Sequence, residues 1–365
     1  MYLRKDKFSN FDKKIMRFAI GLANNNKGLT GTNPSVGCVI VKNKKIISFG
    51  STNINGRPHA ETIALNKNKK KNNGSTVYLT LEPCSHYGNT PPCTNALIKS
   101  KVNKVFFSIN DFDYRVKSKS KKKLNSKNIN VKKGLLFKET NKLYKNYKFT
   151  RNNKFPYIIG KIACSSNFFI LKNKTFITNE HSRSVSHILR YKNQGILTTY
   201  KTINSDNPHL NCRLNGLENY SPKKIIIDKD LKININSNIV KNTKKFNTII
   251  FHNSNNFKKI KKLKIYGLKL IKHKIELNGY FDLKKVFKKI YKLGIHNLLV
   301  ECGKDLTYKI LKSNFFNEFY LFRGSKKLTN KGKISVLNIN KKLKIFNNKK
   351  QENTYLDKDT LIHYY

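Results

Sequence analysis

His59, Glu61, Cys84 and Cys93 are the residues of this chain best suited to chemistry. They stand in two short segments, Pro58-His59-Ala60-Glu61 and Glu82-Pro83-Cys84 through Thr90-Pro91-Pro92-Cys93. One imidazole and two thiolates make a three-ligand zinc site that keeps a fourth position for water, and a carboxylate two residues after the histidine can move that water's protons. Zinc lowers the pKa of such a water from about 15.7 to about 7, which makes it a nucleophile towards an amidine-like ring carbon at neutral pH. Glu61 then takes the proton and passes protons to the ring nitrogen and the departing ammonia, a general acid–base role worth roughly 10²–10⁴-fold. It is not a ligand. This is the layout of a hydrolytic deaminase, whose H-x-E half is matched here, while the two cysteines are farther apart than in P-C-x-x-C.

The neighbouring elements must hold these groups. Ile63, Ala64 and Leu65 follow Glu61, so His59 and Glu61 open a helix. Thr76–Leu81 reads as a strand, which puts Cys84 just past a strand end, where sites in open α/β sheets lie. Apolar spacing from Phe11 to Asn24 predicts a first helix. Val36–Val41 and Ile46–Gly50 predict a hairpin, Thr94–Lys99 a helix and Val105–Ile109 a strand. The alternation implies a sheet with helices on both faces. Asp111–Lys123, rich in lysine and serine, is expected to be an exposed loop. Cys38, Cys164, Cys212 and Cys302 have no partner at ligand spacing and read as core or incidental.

A boundary is expected between Glu139 and Pro156, after which Phe155–Lys161, Gly195–Thr199, Lys224–Asp228, Thr248–Phe251 and Asn297–Glu301 read as buried strands with helices between them. Gly303 precedes a helix starting near Lys304. Such a turn lets backbone approach a phosphate at a helix N-terminus, although most strand–Gly–helix turns are ordinary α/β architecture.

At 365 residues the length suits two domains. Lys+Arg 75 against Asp+Glu 20 gives a net charge of +55. The lysines are spread along the whole chain among Asn, Ile, Tyr and Phe, which points to compositional bias rather than a phosphate-binding face, although the field attracts polyanions nonspecifically. No apolar run approaches the roughly 18 residues of a membrane span, and Met1–Lys7 carries charges where a signal peptide needs an apolar core. Cysteines needed as thiolates fit a reducing compartment. A cytoplasmic protein is expected.

Asn33-Pro34-Ser35-Val36-Gly37-Cys38-Val39-Ile40-Val41, His59-Ala60-Glu61 and Pro83-Cys84-Ser85-His86-Tyr87-Gly88 through Cys93 resemble the deaminase half of the bifunctional riboflavin-biosynthesis deaminase–reductase family. Ser205–Arg213 is similar to that family's D-D-P-x-L-x-x-R segment, and Val300-Glu301-Cys302-Gly303 continues the likeness. The resemblance implies a cytidine-deaminase-like three-layer α/β/α domain over 1–145 and a dihydrofolate-reductase-like α/β domain over 155–365. It implies zinc on His59, Cys84 and Cys93, Glu61 as proton shuttle and Asn33 near the base. In the second domain it implies Arg190, Leu210, Arg213 and Glu301 towards the substrate, and Ala163, Thr202, Asp206 and Gly303 towards NADPH. The guanidinium groups suit a ribose phosphate, which they grip bidentately. The implied substrates are 2,5-diamino-6-ribosylamino-4(3H)-pyrimidinone 5′-phosphate for deamination and 5-amino-6-(5-phosphoribosylamino)uracil for reduction. A homo-oligomer is expected, with neither a specific nucleic acid nor a membrane as partner.

Departures concentrate in the second half. Ser165-Ser166-Asn167-Phe168 replaces S-L-D-G, Lys174-Thr175-Phe176-Ile177-Thr178 replaces S-x-W-I-T, and Lys229 stands where a serine follows I-V-I-D. In the first half Asn89 replaces a common basic residue. Three alternatives therefore stand beside the bifunctional reading. They are a deaminase with a degenerate reductase domain, a tRNA deaminase with a basic RNA-binding half, and a nonenzymatic RNA-binding protein with a structural zinc.

Overall fold

Ser9 starts the first helix, Asn10–Asn25, because its hydroxyl accepts the Asp12 N–H at 3.1 Å while the Asp12 carboxylate takes the Ser9 N–H at 3.0 Å. The computed structural model describes residues 8–171, 176–243, 247–328 and 333–365; Met1–Lys7 and the segment holding Lys174 and Thr175 lie outside them. The chain divides into two units, Met1–Lys154 and Phe155–Tyr365.

In the first unit, β1 (Gly37–Lys42) and β2 (Lys45–Ser51) form the expected hairpin, closed by Asn43 and Lys44 at φ 51° and 59°. Two positive φ values give the turn whose twist suits a two-residue hairpin. β3 (Thr76–Leu81), β4 (Lys104–Ile109) and β5 (Asn130–Lys133) complete a sheet of order β2-β1-β3-β4-β5, parallel from β3 to β5. Ile15, Met16 and Ala19 of the first helix pack with Val39, Val41, Tyr78 and Phe106 on one face. Gly37 permits that contact, since a Cβ there would stand 1.9 Å from the Ala19 carbonyl oxygen. Ala60, Ala64, Leu65, Leu97 and Leu124 cover the other face against Cys38, Ile40, Val77 and Leu79. Three layers result, with the helices Ala60–Lys67 and Cys93–Lys99 beside each other.

One expectation changes in part here. Residues 111–123 are not wholly an exposed loop: Tyr114, Arg115 and Lys117–Lys119 are exposed, but Asp111, Asp113, Val116 and Ser120 are buried and a helix starts at Ser120. The anchor is the buried carboxylate of Glu82, which accepts from the N–H groups of Asp111, Ser118 and Ser120 and from the Ser120 hydroxyl at 2.7–3.2 Å. The stretch from Glu139 towards Pro156, where the boundary was expected, is largely helical, in helices Phe137–Leu143 and Lys145–Asn153, and the two units divide after it at Lys154.

The second unit contains β6 (Tyr157–Cys164), β7 (Phe169–Leu171), β8 (Gly195–Thr199), β9 (Lys223–Ile227), β10 (Ile249–His252), β11 (Lys269–Lys272), β12 (Asn297–Val300), β13 (Glu318–Arg323), β14 (Lys333–Ser335), β15 (Lys349–Gln351) and β16 (Thr360–Tyr364). Among the described residues the main sheet runs β11-β10-β9-β8-β12-β6-β13-β16-β15, parallel as far as β13 and antiparallel beyond it; β7 pairs with β14 apart from it. Near-continuous apolar strands such as Ile225–Ile227 and Leu298–Val300 fit a sheet buried on both faces. Val286, Phe287 and Ile290 of helix Leu283–Lys292 cover one face, while Val185 and Leu189 of helix Glu180–Tyr191 pack against Phe322 and Leu361. No helix among the described residues is long and apolar enough to cross a membrane.

Candidate active sites

Two helix N-termini and one strand end converge on the sequence-selected metal group. His59 precedes Ala60 at the start of one helix, Cys93 is the first residue of another, and Cys84 lies three residues beyond β3. The His59 Nδ1 stands 3.3 Å from the Cys93 Sγ and 3.8 Å from the Cys84 Sγ, and one ligand atom from each of the three residues falls within 4.8 Å of the others. Tetrahedral zinc with Zn–N near 2.0 Å and Zn–S near 2.3 Å needs an N···S edge of about 3.6 Å. The two observed edges bracket that value, so the donor set fits zinc in both type and size.

The local field favours thiolate at Cys84. The Cys93 N–H donates to the Cys84 Sγ at 3.2 Å, at the N-terminus of the Cys93–Lys99 helix. The Cys93 thiol and then His59 draw the Cys84 thiol down to about 4, whereas that same bond to Cys84, together with burial, raises Cys93. Glu61 is 3% exposed, and burial lifts its carboxyl above the ordinary range, which suits a group that must hold and release a proton. Asn33 is half-buried and donates its amide to the Gly56 carbonyl at 3.0 Å. Gly56 has φ 89°, and a Cβ there would come within 2.6 Å of both the Asn33 amide nitrogen and the Thr30 carbonyl oxygen. Arg151 holds the same segment from its other side, donating to the Thr32 carbonyl at 2.9 Å.

In the second unit the sequence-selected residues gather around Glu301, just past β12. Arg190 grips its carboxylate bidentately, Nε to Oε1 at 2.8 Å and Nη2 to Oε2 at 2.9 Å, and the Lys161 ammonium stands 3.6 Å away. Burial alone would raise Glu301; Arg190 and Lys161 overcome it and hold the carboxyl at about 2. Arg190 is therefore not a solvated cation, and much of its fork is already engaged by the protein. Arg213 is exposed and donates to the Asn211 Oδ1 at 2.9 Å. Leu210 is buried with φ 49°.

The residues expected to face NADPH are spread along the carboxyl ends of the strands. Thr202 sits in helix Tyr200–Asp206, its N–H directed at the capping Thr199 hydroxyl, and Asp206 closes that helix. Gly303 caps helix Lys304–Lys312 without a side chain, and nothing lies within 4 Å of the position a Cβ would take. Ala163, near the end of β6, pairs with Phe322 on β13. Thr198 in β8 and Ser166 just past β6 carry buried hydroxyls without a hydrogen-bond partner. The open N-terminus of helix Lys304–Lys312 at Gly303 fits a phosphate-bearing cofactor.

Family models match both halves. The "Cytidine and deoxycytidylate deaminase zinc-binding region" covers residues 9–109, and the "RibD C-terminal domain" covers 171–353. The riboflavin biosynthesis protein RibD of Aquifex aeolicus is 34% identical over 364 residues, 97% of this chain and 98% of that protein. This chain belongs to the RibD family. RibD of Escherichia coli K12 is 30% identical over 87% of this chain and 88% of its own. The solved RibD of Acinetobacter baumannii superposes with a TM-score of 0.82 at 26% identity, covering 97% of this chain and 98% of that one; the Thermotoga maritima deaminase/reductase does so at 0.78, with the same identity and coverage. The chain is accordingly a bifunctional deaminase and reductase of riboflavin biosynthesis with zinc and NADPH as cofactors, and its two halves have the expected folds.

Lys161, which neutralises Glu301, and Glu82, which anchors residues 111–120, escaped the sequence reading. Lys161 could have been found as a charge inside an otherwise apolar strand. Glu82 has no local signal, since its partners come from a distant segment.

Proposed function

We propose that the first unit deaminates 2,5-diamino-6-ribosylamino-4(3H)-pyrimidinone 5′-phosphate and that the second reduces the ribosyl group of 5-amino-6-(5-phosphoribosylamino)uracil to ribityl. The observation that carries the first half is the His59–Cys84–Cys93 group with Glu61 buried two residues from His59. Support for the substrates comes from the Thermotoga maritima protein, described as a diaminohydroxyphosphoribosylaminopyrimidine deaminase and 5-amino-6-(5-phosphoribosylamino)uracil reductase.

His59, Cys84 and Cys93 would hold a zinc ion, which would supply the Lewis acid that makes water nucleophilic at neutral pH. Glu61 accepts the first proton of that water and gives it to the ring nitrogen, then takes the second from the hydroxyl of the adduct and gives it to the amino group, which leaves as ammonia. Burial raises its carboxyl, which suits it to hold each proton between the two transfers. Asn33, steadied by Gly56, orients the base. In the second unit NADPH supplies the hydride. Glu301, fixed in its charged form by Arg190 and Lys161, meets the sugar, Leu210 lines the pocket, and Arg213 takes the phosphate. Ala163, Thr202, Asp206 and Gly303 border the cofactor. We place the enzyme in the cytoplasm, a reading supported by free Cys38, Cys84, Cys93, Cys164, Cys212 and Cys302. It would work as a homo-oligomer without a specific nucleic acid or a membrane partner.

The test follows ammonia release from the diaminopyrimidine nucleotide and NADPH oxidation on the deaminated product in separate assays. Both should proceed with the intact chain. Ammonia release without NADPH oxidation would leave a deaminase with a degenerate second domain.

A further inference from the structure

Arg213 projects from an exposed position, where a free guanidinium side chain samples many rotamers and loses that freedom when a ligand fixes it. It is not free. Its Nη1 donates to the Asn211 side-chain oxygen at 2.9 Å. The main-chain carbonyl of the same Asn211 lies 3.3 Å from the Arg190 Nη1 and 3.1 Å from the His187 Nδ1. Leu210, buried and left-handed at φ 49°, turns the chain immediately before this residue. One asparagine thus ties together Arg213 on the surface, Arg190 in the core and His187 on the same helix as Arg190.

Glu301 already holds Arg190, whereas Arg213 is aimed by the Asn211 side chain. Arg190 and Arg213 carry like charge, and burial followed by these two arginines pushes His187 down to about 4, so it stays neutral at physiological pH. A neutral imidazole whose Nδ1 donates to a carbonyl adds no third positive charge. The array is set before any ligand arrives, which lowers the ordering cost of binding.

We propose that Asn211 is a positioning residue of the reductase: its side-chain oxygen aims Arg213, and its main-chain carbonyl, held by Arg190 and His187, anchors the turn that carries Asn211 and Arg213, so that the substrate's phosphate meets a preset Arg213 guanidinium. This rests on the reading of Arg213 as a phosphate ligand. The main-chain part survives any substitution, and the side-chain part does not.

The experiment uses the full-length zinc-loaded protein and measures NADPH oxidation with the deaminated nucleotide and with its dephosphorylated nucleoside, for wild type, Asn211→Ala, Asn211→Ser and Arg213→Ala. Asn211→Ala should raise KM for the nucleotide roughly 5- to 20-fold, with kcat changed less than about twofold and KM for NADPH unchanged. Use of the nucleoside, which has no phosphate to meet, should not change. Asn211→Ser keeps a short oxygen acceptor and should recover much of the loss. An Asn211→Ala enzyme with unaltered nucleotide KM, beside an Arg213→Ala enzyme that is impaired, would overturn the inference. Equal losses on nucleotide and nucleoside would also overturn it by showing a merely structural role. An unimpaired Arg213→Ala would remove the phosphate reading itself, and the role of Asn211 with it.

Discussion

Glu61 and the two cysteines differ in what they do to the same site, and substitution should separate them. Glu61→Gln removes the proton carrier without touching a ligand, so it should retain zinc and lose deamination by roughly 10²–10⁴-fold. Cys84→Ser and Cys93→Ser should lose metal together with activity, and metal analysis of the purified variants checks this directly. Glu301 offers a pH test. Its folded carboxyl titrates at about 2 against an ordinary 4.5, so its stabilising effect is complete above pH 4.5 and is lost as pH falls towards 2. Glu301→Gln leaves Arg190 and Lys161 buried without a counter-charge and should destabilise the second unit by about 3 kcal/mol at neutral pH. That gap should narrow below pH 4.5 in urea titrations of both proteins; a gap independent of pH would contradict the ion-pair account. These single-residue assignments separate what sequence can show. Zinc ligands announce themselves because the metal dictates residue type and order. Asn211 is silent because its partners His187 and Arg190 stand 24 and 21 positions away and are chosen by folding.

Elements repeat the lesson. The first helix, the hairpin, β3, β4 and the parallel strands β8 to β10 and β12 were legible from apolar spacing, since burial of one or both faces demands it. The helices of residues 137–153 were not, because lysine and asparagine crowd them: among residues 145–153 only Thr150 is buried, so little apolar periodicity exists to read. The 111–125 segment was missed for a different reason. Its order comes from Glu82, a buried carboxylate more than 28 residues earlier, satisfied by N–H groups rather than by a cation. Glu82→Ala should leave those N–H groups without an acceptor, at about 1–3 kcal/mol for a buried unsatisfied polar group, and increase hydrogen exchange across residues 111–120. Gly56→Ala should damage the other wall of the site. A Cβ at φ 89° facing the Asn33 amide at 2.6 Å must push Asn33 away, so deamination should fall while NADPH oxidation on the deaminated substrate is unaltered.

At the scale of the whole molecule, the charge of +55 sets how the enzyme meets polyanions without setting what it does. Nonspecific nucleic-acid binding should be measurable at low salt and collapse between 50 and 200 mM, by roughly 10³–10⁵ for 6–10 engaged phosphates. Filter binding across that range checks it, and sequence-selective binding that survives physiological salt would count against compositional bias. The order of strands in the second unit governs something else, the sequence of events at the ribosome. β6 is the first strand of that unit to be made, yet its neighbours are β12 and β13, so Tyr157 waits for Asn297 and Ile159 waits for Glu318. Both edges of a strongly apolar strand remain unpaired while more than 130 further residues are synthesised, whereas the first unit already has its whole sheet by Lys133. Nascent chains stopped before Asn297 should therefore carry a protease-resistant first unit and an exposed, chaperone-dependent β6, and resistance in the second unit should appear only once β12 and β13 have emerged.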